Sequence, residues 1–140
     1  MRRMFKLPDE DVATLAALGL AWETLIEVPE PQVTQQWLLI HDYPISGRGY
    51  TVSTVNLAFL IDSLYPDTQI DMAYFYPALA KLDGSSINAL AEQLIDGKKF
   101  QRWSRHRTPQ NPWRPGVDEI GTHLLLVNHW LERELGARAA

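Results

Sequence analysis

From Lys98 to Arg107 the chain reads Lys-Lys-Phe-Gln-Arg-Trp-Ser-Arg-His-Arg, which sets a hydroxyl, an imidazole and several cations within a few positions of one another. A serine hydroxyl is almost fully protonated at neutral pH and becomes a useful nucleophile when a base takes its proton in the transition state. His106, two residues after Ser104, is the nearest imidazole, and an ordinary imidazole titrates at about 6.5, which suits proton transfer near neutrality. In an extended segment, residues two apart share a face, so Ser104 and His106 are the candidate catalytic pair. Arg102 or Arg105 offers positive charge to a developing oxyanion, and a partly exposed Trp103 suits a binding surface, so these three are the candidate substrate-binding residues. A structural reading competes at every one of these positions. Ser104 can bond backbone in a loop, His106 can be a surface histidine in a basic run, and Trp103, Trp113 and Trp130 can be core residues.

The remaining chemistry is sparse. With no cysteine in 140 residues there is no thiol nucleophile, no thiolate metal site and no disulfide. His41, followed by Asp42, reads as a structural residue, and His123 and His129, six apart, do not share a helix face well enough to hold a metal. Neither a metal nor a cofactor is expected. A formal net charge of −4 disfavours a dedicated nucleic-acid binder, and a single basic run in an acidic chain more often meets carboxylates or a protein partner.

The elements that must position these residues follow from periodicity and breakers. At 46% hydrophobic and 21% charged, the composition is that of an ordinary globular protein, and residues 1–140 are expected to form one domain. No apolar run nears the roughly 20 residues that cross a bilayer, and the N-terminus lacks a signal-peptide core, so a cytoplasmic protein is expected. Acidic Asp9, Glu10 and Asp11 before an apolar stretch, with Gly19 beyond it, predict a short helix. Runs from Trp22 to Val28, Val33 to His41, Tyr50 to Ile61 and, shorter, Ile70 to Tyr76 predict four strands in an antiparallel meander. From Leu79 to Phe100 the pattern is irregular, with one or two helical turns expected over Ile87 to Ile95. Ile120, Leu124, Val127, Leu131 and Leu135 then mark a helix from Val117 to Leu135, with Asp118 expected to cap it.

This order carries a resemblance. The run Asn56 to Pro66, ending in Tyr-Pro, the run Asp71 to Pro77, the Trp-Ser-Arg-His of 103–106 and the Trp-Arg-Pro-Gly of 113–116 resemble the ubiquitin-conjugating (UBC) fold. More narrowly, the chain is similar to a prokaryotic UBC-like family of bacterial ubiquitin-like conjugation operons, over roughly Leu7 to Leu135. The resemblance implies an α+β fold: N-terminal helix, four-stranded antiparallel meander, irregular active-site stretch, C-terminal helix. As partners it implies a ubiquitin-like protein, a ThiF-like adenylating activating enzyme and a JAB-like deconjugating peptidase in the same pathway. The chain departs from the UBC pattern in lacking both the His-Pro-Asn triplet and the cysteine that carries the cargo. Ser104, nine residues before Trp113, stands near the place of that cysteine, with Arg105 its competitor. The function this implies is an acyl carrier that accepts the C-terminus of a ubiquitin-like protein as an oxyester on Ser104 and transfers it to a target. The alternative is a catalytically silent UBC-fold module that binds and positions the ubiquitin-like protein.

Overall fold

The computed structural model describes residues 1–136. Helix α1 (Asp9–Leu18) has its three acids in the first turn, where the helix dipole favours negative charge. It closes at Gly19, whose φ of 71° belongs to the left-handed region and lets its N–H reach Ala16 O. Six strands follow: β1 (Trp22–Glu30), β2 (Val33–Pro44), β3 (Thr54–Leu60), β4 (Ala73–Tyr76), β5 (Leu90–Ile95) and β6 (Lys98–Trp103). They form one sheet in the order β1-β2-β3-β4-β6-β5, antiparallel throughout. Helix α2 (Ile120–Gly136) ends the described chain.

The α+β class, the N-terminal helix, the antiparallel sheet and the C-terminal helix agree with the sequence reading; the strand count does not. The stretch expected to be irregular, with helical turns over Ile87 to Ile95, is instead the β5–β6 hairpin. Ile87, Leu90 and Leu94 happen to fall at helical spacing, but Asp96 and Gly97 both have positive φ (52° and 74°), the two-residue turn that matches strand twist. The third strand begins at Thr54 rather than Tyr50, and the fourth at Ala73 rather than Ile70.

The two faces of the sheet are packed differently. Leu38, Ile40, Leu57, Phe59, Phe75 and Trp103 point to the helix side, where they meet Leu15 of α1 and Ile120, Leu124, Val127 and Leu131 of α2. The apolar stripe of the last helix is thus buried as its periodicity requires. On the other face, Leu25 of β1 shares a cluster with Ile95 and Phe100 of the β5–β6 hairpin, although those strands lie at opposite ends of the sheet order. The sheet therefore curls around this second cluster. Arg2 ties the curl, donating to Glu23 on β1 at 2.8 Å and to Asp96 in the β5–β6 turn at 2.8 Å, and Asp96 N–H donates to Glu27.

Helix α2 begins three residues later than the sequence suggests. The first N–H of the helix, at Ile120, is met from outside by Asp11 Oδ1 (3.2 Å) and Tyr65 Oη (3.0 Å), while Asp118, expected as the cap, accepts from Arg114 N–H at 2.7 Å. A helix dipole satisfied by a distant carboxylate leaves no local signature in sequence.

Candidate functional site

Strand β6 is held on one side by β4 and on the other by β5, and it delivers Trp103 into the core at 0% exposure. The indole N–H donates to Gln101 Oε1 at 2.9 Å, and the ring meets Phe75 edge-on at 5.3 Å. Trp103 therefore offers no exposed aromatic to a partner, which corrects its expected docking role. The physical reason is that it alternates with Arg102 on a strand whose helix-side face is covered.

At Ser104 the chain leaves the sheet. Ser104 N–H still donates to Ala89 O at 3.0 Å, but Arg105 N–H turns back to Trp103 O at 2.9 Å, which places Ser104 at the apex of a three-residue turn, half-buried. The turn breaks the alternation that an extended segment would impose on Ser104 and His106. Among the described residues no hydrogen bond joins the two. His106 instead points Nδ1 at Asp71, 3.0 Å from each carboxylate oxygen, and its side chain is 60% exposed. A carboxylate can only accept, so Nδ1 carries the proton in this contact and Nε2 is the nitrogen left to act as base when the ring is neutral.

The two arginines do not converge. Arg102 sits opposite Tyr74 and Ala91, on the same face as Phe100, with a buried Nε that has no hydrogen-bond partner among the described residues. Arg105 folds to the helix side, its guanidinium 4.9 Å from the Trp103 ring, donating to Asn88 O at 3.0 Å and 3.5 Å from Glu134. Glu134 also holds the buried Lys81 at 3.1 Å. A cleft of about 230 Å³, lined by Arg105, His106, Trp130, Arg133 and Glu134, opens between this segment and the end of α2.

Two residues that sequence reasoning missed fix the segment. Asp71 orients His106 from 35 positions away, a separation at which nothing in the sequence links them. The side chain of Arg107, 6% exposed, lies over the Trp113 ring at 4.9 Å and 3.8 Å from Asp118, and desolvation disfavours its charge while Asp118 opposes that effect. His123, one of the histidines set aside as metal ligands, is buried edge-on to Phe59 and Trp130 and donates Nε2–H to Met72 O at 2.9 Å. Burial pushes its pKa down to about 4, so it is neutral at neutral pH. Among the described residues no cluster of three or more potential metal ligands occurs.

The sequence profile of Prokaryotic E2 family E matches residues 7–134, nearly the whole of the 140-residue chain. The chain belongs to that family. No curated protein and no solved structure matches it. For this E2 family chain, the match spans α1, the entire curled sheet, the turn at Ser104 and all of α2 but its last two residues. No helix among the described residues is long and apolar enough to cross a membrane.

Proposed function

We propose that this chain is a single-domain, cytoplasmic carrier in a bacterial ubiquitin-like conjugation pathway. It takes the C-terminal acyl group of a ubiquitin-like protein from a ThiF-like activating enzyme onto Ser104. The oxyester is then passed to a target nucleophile, and a JAB-like peptidase serves the pathway by deconjugation. The observation that carries the reading is the place of Ser104, at the apex of a tight turn directly after β6, beside a histidine held by Asp71. In the loading step Ser104 Oγ attacks the adenylated carboxyl carbon, its proton passes to His106 Nε2 through a water or a side-chain rotation, and AMP departs. Arg102 and Arg105 lie on opposite sides of β6, so the charge facing the oxyanion comes from one of them at most.

A second reading has its own support. The absence of a Ser104–His106 hydrogen bond among the described residues, together with the engagement of Arg105 by Glu134, favours a silent module that binds and positions a ubiquitin-like protein. One experiment separates the two. The chain is mixed with its cognate activating enzyme, ATP and the cognate ubiquitin-like protein, and adducts are read by intact-mass spectrometry. The carrier reading expects an adduct that hydroxylamine cleaves and mild thiol does not. Ser104→Ala abolishes it, and Ser104→Cys restores it in thiol-sensitive form. His106→Ala slows its formation by roughly 10²- to 10⁴-fold. Adduct formation by Ser104→Ala at the wild-type rate would refute the serine assignment.

A further inference from the structure

Among the described residues β5 is an edge strand, and its register with β6 fixes which way each of its backbone groups points. Ser104 N–H donates to Ala89 O, so residues 89 and 104 face each other with their polar groups directed inward. In an antiparallel pair the inward-facing positions recur every second residue, and the register sets Ala91 opposite Arg102, Gln93 opposite Phe100 and Ile95 opposite Lys98. Leu90, Glu92 and Leu94 therefore turn their N–H and C=O groups away from β6, toward the open edge. Leu94 O fits this assignment, since it takes only a long 3.4 Å contact from the Gln93 side chain. Leu94 and Leu90 are also exposed apolar side chains, at 62% and 38%. The opposite edge of the sheet is covered: Arg2 O and Met4 N–H bond Thr24 of β1. Natural sheets usually protect edges of this kind with lysine, proline or a bulge, and β5 has none of these along its length.

We propose that the open edge of β5 is the docking track for the C-terminal tail of the ubiquitin-like protein, which adds as a seventh strand antiparallel to β5; this deepens the carrier reading and rests on it. The direction follows from where Ser104 lies. It is beyond the Leu90 end of β5, so a tail whose last residue reaches Ser104 runs from Leu94 toward Leu90. An added strand stands two strand spacings from β6, about 10 Å, which about three extended residues span. The tail thus pairs by its backbone along Leu94, Glu92 and Leu90, sets alternate side chains against the two leucines, and crosses to Ser104 with its last three residues. A groove on β5 and β6, lined by Leu90, Glu92, Lys99 and Phe100, gives one of those side chains a seat beside a lysine. A second copy of this chain is disfavoured as the occupant, because the fully overlapped antiparallel register that pairs Leu90 with Leu94 sets Glu92 against Glu92.

The probe is a synthetic peptide of the last ten residues of the ubiquitin-like protein used in the adduct assay, added to the isotope-labelled chain and followed by NMR. The amides of Leu90, Glu92 and Leu94 are expected to shift and to exchange more slowly, while those of Ala91 and Gln93, already bonded to β6, keep their exchange rates. A spin label at the peptide N-terminus broadens Leu94, and one at its C-terminus broadens Ser104 and Ala89. Leu94→Lys, an exposed substitution that leaves the fold intact, weakens peptide binding about tenfold, as edge lysines do to strand addition, and slows adduct formation equally. Ser104→Ala leaves peptide binding unchanged. No binding at millimolar peptide, the reverse label pattern, or protection of these amides without peptide at raised protein concentration overturns the proposal. Adduct formation on Ser104 with the edge amides untouched sinks the docking track and spares the carrier reading. Protected amides with no adduct do the opposite.

Discussion

Replacing Trp103 with alanine tests whether the end of β6 is a core element or a binding surface. The side chain has no exposed surface and fills space between Phe75, Tyr50 and the guanidinium of Arg105. Truncating a fully buried tryptophan costs about 3–5 kcal/mol, from the lost transfer of the ring out of water and the cavity left behind. In a chain of this size that is a fall of roughly 10–20 °C in melting temperature. The indole N–H adds a smaller part. Gln101 Oε1 still accepts Leu79 N–H at 2.9 Å after the change, so no buried acceptor is orphaned, and Trp103→Phe should cost about 1–2 kcal/mol. The substitution also loosens the turn, because Arg105 loses the ring it lies over. Thermal and urea unfolding by circular dichroism, with binding of the ubiquitin-like protein measured below the transition, gives the readout. A melting temperature within about 2 °C of wild type, together with a clear loss of binding, would refute the core assignment.

Leu124→Ala, in the buried stripe of α2, should cost about 2–5 kcal/mol in urea unfolding; a cost below about 1 kcal/mol would mean that the helix does not pack on the sheet as described. His123 should produce an acid-sensitive limb in stability. Its folded pKa, near 4, lies below the ordinary 6.5, so the unfolded chain binds the extra proton first and stability is lost as pH falls from about 6.5 to 4. The His123→Leu protein should lack that limb in pH-dependent urea unfolding, and an unchanged limb would assign it elsewhere. A second acid limb should lie lower. Glu23, held by the Arg2 guanidinium with a pKa of about 2 against an ordinary 4.5, contributes stability above about 4.5 that is lost as pH falls toward 2, and Glu23→Gln should flatten it.

The sequence by itself determined the elements that local pattern controls. Acids ahead of Val12 and a glycine after Leu18 place α1, β-branched and aromatic runs place β1 to β4, and a 3.6-residue apolar stripe places α2. It also determined the absence of a thiol, which removes thioester chemistry whatever the fold. The β5–β6 hairpin was legible in principle, since Asp96-Gly97 is a hairpin signal, but the chance helical spacing of Ile87, Leu90 and Leu94 masked it. Tertiary structure decided the rest, because each decisive contact joins residues that sequence cannot connect. Asp71 reaches His106 across 35 positions and Asp11 caps α2 across 109. The turn at Ser104 parts it from the strand that periodicity would have continued, Trp103 is buried because a helix covers its face, and the N-terminal segment shields β1 while β5, at the other end of the sheet, has no neighbouring strand on its outer side among the described residues. Burial, capping and edge exposure depend on which surfaces meet when the sheet curls, and a period of two or of 3.6 residues carries no information about that.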